Sequence, residues 1–246
     1  MQWLLESGHG LTPAHQVLLY RRRREHAAGL ISYGAQLTIA GDLADALDAF
    51  AQETRAHLGL RSFVGPKAAV DALWERLRVW HPPPTTVRAS QPLYVLHRDA
   101  LNAGSDPGVR PAEEGDADAV AEASAEMIRG ELGYDPRQNR AGWAAAVRRA
   151  IAGGAWWVWV ARGELRFQCN VGPRTTATAQ IQGVWTPPER RGRGYARQAL
   201  GAIARRLLER DATVSLYVND FNAPAIALYE RLGFVRKGTM TTYLFP

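Results

Sequence analysis

The stretch Val184–Leu200, VWTPPERRGRGYARQAL, constrains this chain more than any other. It starts apolar, breaks on Pro187 and Pro188, and passes through arginines and glycines. It then becomes a helix whose Ala196, Leu200, Ile203, Ala204, Leu207 and Leu208 recur at helical spacing. A strand must therefore deliver the chain into a glycine-bearing turn that opens an amphipathic helix. Unbonded backbone N–H groups and the positive end of the helix dipole meet at such a start, which makes it an anion site. Gly192 and Gly194 keep side chains out of the way of a ligand and can take positive φ. The competing reading is a plain exposed basic turn.

Two well-known phosphate loops do not fit. No G-x-x-x-x-G-K-[ST] string occurs, and a dinucleotide fingerprint would need glycine where Arg197 stands. The charge of the whole chain is compatible with an anionic ligand: 30 Lys and Arg against 24 Asp and Glu give a formal +6 over 246 residues. That surplus suits nucleic acid, acidic membranes or a phosphorylated cosubstrate without choosing among them. The basic run Arg21–Arg24 follows TPAHQVLLY, where Thr12 can cap a helix and Pro13 can take its first turn. A solvated helix face is the expectation there, and nucleic acid is not expected as a partner.

The remaining bounds are simple. With 46% hydrophobic and 22% charged residues the chain has the composition of a globular protein. No apolar run reaches bilayer length, and the N-terminus lacks the pattern of a signal peptide. Cys169 is the only cysteine, so neither an internal disulfide nor a multi-cysteine metal site is available. A cytoplasmic protein that needs no metal and no membrane is expected.

Breaks at HPPPTT (81–86) and NAGSDPG (102–108) organise the chain, and the second is read as a boundary between an accessory domain, 1–105, and a second domain, 106–246. No internal repeat at a fixed period is evident. Before the boundary, DLADALDAFAQETRAHL and GPKAAVDALWERLRVW read as helices, the latter with Gly65 as cap and Pro66 in the first turn. RSFV and PLYVLH read as strands. After it come a strand into a helix from Val109, a helix from Asn139, the strand AWWVWVA, and two strands joined by the turn PRT. The glycine-bearing turn and its helix follow, then the strand ATVSLYVND, the short helix of NAPAIALYERLGF, and a closing hairpin or strand pair. The fold class expected is α/β (α+β).

Arg191, Gly192, Arg193, Gly194, Tyr195 and Ala196 meet the pattern [QR]-x-x-G-x-[GA], and Asn222 to Phe234 meets N-x-x-A-x-x-L-Y-x-x-x-G-F. With a strand before the first motif, an amphipathic helix after it and a strand between the two, the region from Pro107 to Pro246 resembles the GNAT superfamily of acyl-CoA N-acyltransferases. The resemblance implies a splayed mixed sheet, acetyl-CoA as co-substrate, and a small-molecule or peptide amine as acceptor. It implies that backbone of Val184, Trp185 and Thr186 aligns the pantetheine arm and thioester, and that N–H groups from Gly192 to Ala196 hold the pyrophosphate. Arg190, Arg193 and Arg197 would stand near the phosphates, Asn222 would touch the arm, and the Tyr229 hydroxyl would protonate the departing thiolate. Tyr229 and Asn222 have structural readings too, as a packed ring and a helix cap. The sequence departs from the family in one respect: the strand that often carries a general-base carboxylate offers Gln180 and Gln182, which leaves water, Glu126, Glu131 or Asp220. That departure keeps open a second reading, a non-catalytic acyl-CoA-binding module.

Overall fold

The computed structural model describes residues 15–22, 25–33, 36–41, 44–55, 60–175 and 177–246. In chain order the elements are β1 (His15–Arg22), β2 (Glu25–Tyr33), β3 (Gln36–Ala40), α1 (Ala44–Thr54), β4 (Ser62–Pro66), α2 (Lys67–Leu77) and β5 (Thr86–His97). There follow β6 (Arg110–Pro111), α3 (Ala117–Leu132), α4 (Arg140–Ala152), β7 (Trp156–Ala161), β8 (Glu164–Arg174), β9 (Thr178–Trp185), α5 (Tyr195–Leu208), β10 (Thr213–Tyr217), α6 (Ala223–Arg231) and β11 (Val235–Leu244). The mixture of helices with parallel and antiparallel strands is the α/β (α+β) architecture expected. Contacts divide the chain into two compact units: residues up to Leu93 with 217–223 and 236–246, and residues 94–216 with 224–235.

In the first unit the strands run β1-β2-β3-β4-β11-β5. β1, β2 and β3 pair antiparallel in turn, β4 lies parallel to β3, and β11 pairs antiparallel with β4. The core gathers Leu37, Ile39 and Phe63 from the strands with Leu47, Phe50, Val70, Leu73, Trp74 and Leu77 from the helices, the α2 stripe that helical spacing predicts. Sequence periodicity misreads three places. His15–Arg22 is a strand where a helix face was expected, because VLLY carries no polar spacing that separates the two periods. In the strand Leu18 and Tyr20 pack on the core while Leu19 stays exposed, a period of two. Thr12, Pro13, Arg23 and Arg24 lie outside the described residues. Gly65 belongs to β4 and Pro66 precedes α2 rather than opening it. The closing segment is the single strand β11, since its β-branched run continues through Gly238 without a turn.

In the second unit the order is β10-β9-β8-β7-β6, with β10 parallel to β9 and the other neighbours antiparallel. The run WWVW is divided by the pleat. Trp156 and Val158 pack with Val120, Val147 and Ile151 of α3 and α4. On the other face Arg206 of α5 lies 5.7 Å over the Trp157 ring, and Tyr195 meets Trp159 edge-on at 5.1 Å. α5 buries Leu200, Ile203, Ala204, Leu207 and Leu208 as its pattern predicts. β8 runs on through Arg174, and Thr175 closes the turn by accepting from the N–H groups of Ala177 and Thr178, both at 3.1 Å. The turn thus falls later than PRT. Among the described residues no helix is long and apolar enough to cross a membrane.

Candidate active site

Three features meet at the end of β9. The first is a parting of strands. β10 pairs with β9 at Thr213↔Thr178, Val214↔Ala179 and Ser215↔Gln180, and the pairing ends there. From Ile181 to Trp185 β9 runs on with no β10 partner, so that edge offers backbone N–H and C=O groups to an extended ligand. The second is a bulge. The β8 register passes from Asn170↔Gln182 to Gln168↔Trp185, and Gly183 within it takes φ of 58°. A bulge re-aims the residues beyond it, here Val184 and Trp185.

The third feature is the loop itself, Thr186 to Gly194. Gly194 caps α5 at φ 79° and Gly192 sits at φ 73°, so both use the left-handed region that glycine adopts without strain. A Cβ on Gly192 would meet nothing within 4 Å, which leaves the approach to the backbone open. The first turn of α5 holds no acidic residue, and the first amide bonded back is that of Gln198, to the Gly194 carbonyl at 3.1 Å. The amides of Tyr195, Ala196 and Arg197 therefore face out of the helix end, where the dipole favours an anion. Tyr195 is braced by the Trp159 edge and by the Arg166 guanidinium, 6.0 Å from its ring centre.

The arginines divide into braces and free charges. Arg191 stacks 4.5 Å over the Trp185 ring and its Nε donates to the Thr186 carbonyl at 3.1 Å, tying the loop back to the end of β9. Arg190 donates to Glu164 at 2.6 Å and is committed to that pair rather than open to phosphate. Arg193 and Arg197 are exposed and make no side-chain hydrogen bond or ion pair among the described residues. Thr186 Oγ1 is buried without a hydrogen-bond partner among the described residues. A buried hydroxyl without a partner is costly unless something supplies one, and it sits between the parted strand and the loop.

Tyr229, on α6, is 5% exposed, with the rings of Tyr94 and Phe234 at 6.4 and 5.9 Å. Burial first, then the charge of Glu131 and the nearby Cys169, push its hydroxyl well above the ordinary tyrosine value. The hydroxyl therefore stays protonated at neutral pH, and the same burial makes it a weaker acid. Asn222 stands just before α6, in the segment 217–223, and its N–H donates to the Asn219 carbonyl at 2.9 Å. Glu126 is held by Arg129 and Arg137 at 2.8 and 3.2 Å, so of the acids on α3 it is Glu131 whose field reaches Tyr229. Gln182 donates to Gln180 at 2.8 Å, and neither can take a proton from an amine. Burial pushes the Cys169 thiol far up, which makes it an unreactive strand residue.

Sequence reasoning passes over one pair. Gln168 is fully buried and donates through Nε2 to Ser124 Oγ at 2.8 Å, while its Oε1 has no partner among the described residues. It lies opposite Trp185 at the bulge, so an unpaired acceptor stands close to the strand end. An isolated glycine in a strand pattern, Gly183, is the one signal that points there.

Solved structures share this fold over nearly the whole chain. An acetyltransferase of the GNAT family from Colwellia psychrerythraea is 13% identical and aligns with 100% of this chain and 89% of its own, at a TM-score of 0.59. A GCN5-related N-acetyltransferase from Kribbella flavida is 14% identical, with 100% and 96% covered and a TM-score of 0.61. Another from Sphaerobacter thermophilus is 18% identical, with 98% and 84% covered and a TM-score of 0.58. The parting strands, the glycine-bearing loop and the helix it opens thus sit in a fold of the acetyltransferase class. The acetyltransferase (GNAT) family matches residues 112–234, and the chain belongs to that family. Residues 17–120 match a second family, described as a domain of unknown function (DUF4081). No curated protein matches the chain.

Proposed function

We propose that the chain transfers an acetyl group from acetyl-CoA to an amine of a small molecule or peptide, by direct attack in a ternary complex. The observation that carries this reading is the unpaired edge of β9, Ile181 to Trp185, leading straight into the open N-terminus of α5. An acyl-CoA has chemistry for both: amide groups along its arm to pair with a strand edge, and a pyrophosphate for outward-facing amides. The orphan Thr186 hydroxyl and the unobstructed Gly192 backbone fit the same ligand.

In this scheme the backbone of Val184, Trp185 and Thr186 orients the thioester, and an N–H there polarises its carbonyl. The N–H groups from Gly192 to Ala196 hold the pyrophosphate, with Arg193 and Arg197 free to add charge, while Arg191 braces the loop. The amine nitrogen attacks the carbonyl carbon, the C–S bond breaks, and the leaving thiolate takes the Tyr229 proton. The amine's surplus proton leaves to water or to Glu131. An alkylamine is mostly protonated at neutral pH, so that acceptor is needed for turnover.

Calorimetric titration with acetyl-CoA, coupled to a thiol-release assay over an amine panel, tests the reading. Binding with turnover on some amine is expected. Binding with no turnover on any amine would favour the non-catalytic acyl-CoA-binding module, the reading to which Gln180 and Gln182 lend weight. Absence of binding would sink both.

A further inference from the structure

The two units repeat each other. α2 ends in ALWERL, Ala72–Leu77, and ALYERL, Ala227–Leu232, covers the end of α6 and the residue after it. The helices before them share a buried pattern at equal spacing: Ala46, Leu47, Phe50 and Ala51 in α1, and Ala199, Leu200, Ile203 and Ala204 in α5. The element order also matches. β1-β2-β3-α1-β4-α2 and β7-β8-β9-α5-β10-α6 each give antiparallel strands, a helix, a strand parallel to the one before that helix, and a second helix. In each unit the parallel pair holds a short register, Gln36↔Ser62 to Thr38↔Val64 in one and Thr178↔Thr213 to Gln180↔Ser215 in the other. A strand tyrosine then packs on the helix aromatic in both. Tyr243 lies 5.5 Å from the Trp74 ring and donates to Asp71 at 3.0 Å; Tyr94 lies 6.4 Å from Tyr229 and donates to Glu230 at 2.9 Å. The equivalence escapes a search at one fixed period because the residues linking helix and strand differ in length between the copies.

We infer that the first unit is a degenerate copy of the fold of the second, and that it has lost the acyl-CoA site, so that the chain binds one acyl-CoA. The single-site half of this rests on the function proposed above. Three differences remove the site from the first copy. β3 ends at Ala40 and α1 begins at Ala44, so the long loop from Thr186 to Gly194 has no counterpart, and the sequence between holds no R-x-x-G-x-[GA]. Asp45 occupies the first turn of α1, where its charge opposes a phosphate. β3 also stops at Ala40, two residues beyond its last pair with β4, so no unpaired edge as long as Ile181 to Trp185 follows. At the place of Tyr229 stands Trp74, which has no hydroxyl to give. Its ring faces Tyr243 and, at 5.1 Å, Phe245, as a core residue.

Two measurements on the full chain decide the matter. A crystal structure should superpose 36–77 on 178–232 with Trp74 falling on Tyr229 and Leu47 on Leu200; a fit in which those pairs fall on different helical turns overturns the repeat. Calorimetry with acetyl-CoA should give one site per chain, and Gly192→Val with Gly194→Val should abolish it, with circular dichroism unchanged. Two sites in the parent chain, or saturable binding left in the double variant with exchange protection at 36–54, overturn the loss of the first site. No binding by the parent chain refutes the proposed function instead, while the superposition still judges the repeat.

Discussion

Gly233 and Gly192 both have positive φ, yet substitution should affect them in opposite ways. Gly233 sits at φ 95°, and a Cβ there would lie 1.9 Å from the Ala100 carbonyl oxygen and 2.8 Å from its carbon. The obstacle is backbone, which cannot rotate aside. Left-handed backbone costs a non-glycine residue roughly 1–2 kcal/mol, and forcing atoms apart in a packed region costs roughly 1–3 kcal/mol more. Gly233→Ala should therefore destabilise by about 2–5 kcal/mol, against a total of about 5–15 for a typical protein. At about 2–4 °C per kcal/mol for a chain of this size, Tm falls by roughly 4–20 °C. Gly192, at φ 73° with nothing within 4 Å, bears only the backbone cost, in an exposed loop free to relax. Gly192→Ala should cost about 1 kcal/mol of stability and weaken acetyl-CoA about tenfold, because the new methyl stands where the phosphates would meet backbone. Scanning calorimetry and ligand titration on both variants separate the two effects. If Gly233→Ala melts within about 2 °C of the parent, the close approach to Ala100 is not a constraint. If Gly192→Ala binds as the parent does, the loop is not the cradle.

Tyr229→Phe should lower turnover by about a hundredfold, within the range for a lost general acid, and leave acetyl-CoA affinity within about twofold, since the ring still packs on Tyr94 and Phe234; unchanged turnover makes Tyr229 a packing residue. Alkali should destabilise the fold in two stages. Cys169 and Tyr229 are buried with pKa values raised above 9.0 and 10.0, so the unfolded chain loses those protons first. Stability is then intact below pH 9 and falls above it by up to about 1.4 kcal/mol per pH unit per group. Urea unfolding across pH 8–11 should show this, and Cys169→Ala should remove the earlier stage. Phe245→Ala, which strips a buried ring from Trp74, should cost about 3–5 kcal/mol and shift tryptophan emission to the red at lower urea; an unmoved midpoint refutes its place in the core.

The second half of the chain was largely legible because the site proposed for it imposes local patterns. A strand, a glycine turn and a striped helix must follow one another in sequence to make an anion site, and Val184 to Leu208 shows all three. The bulge at Gly183 and the parting of β9 from β10 were not legible from spacing, because they depend on which strand lies alongside. Nor was the pairing of Gln168 with Ser124, two residues far apart in sequence that only the packing of α3 on the sheet brings together. In the first half, VLLY of β1 has no polar interruption and reads equally as helix or strand; its ladder with β2 decides.

That asymmetry has a physical origin. Where a loop must present amides to a phosphate, few residues serve, and the motif survives as readable text. Where the sequence holds no such motif, as between Ala40 and Ala44, fewer residue types are demanded, and packing accepts many sequences of similar volume. ALWERL and ALYERL fit this account. Leu73 and Leu77 of the first copy and Leu232 of the second are fully buried, while Leu228, the counterpart of Leu73, is half-buried. The position that differs, Trp74 against Tyr229, is the one at which the second copy is proposed to hold a proton for the thiolate. If that role is real, Tyr229→Trp should still fold, at a cost of about 1–3 kcal/mol for overfilling a buried site, and lose turnover as fully as Tyr229→Phe. A Tyr229→Trp variant that kept its turnover would show that the hydroxyl does nothing there, and that the difference between the copies at this position is a matter of packing alone.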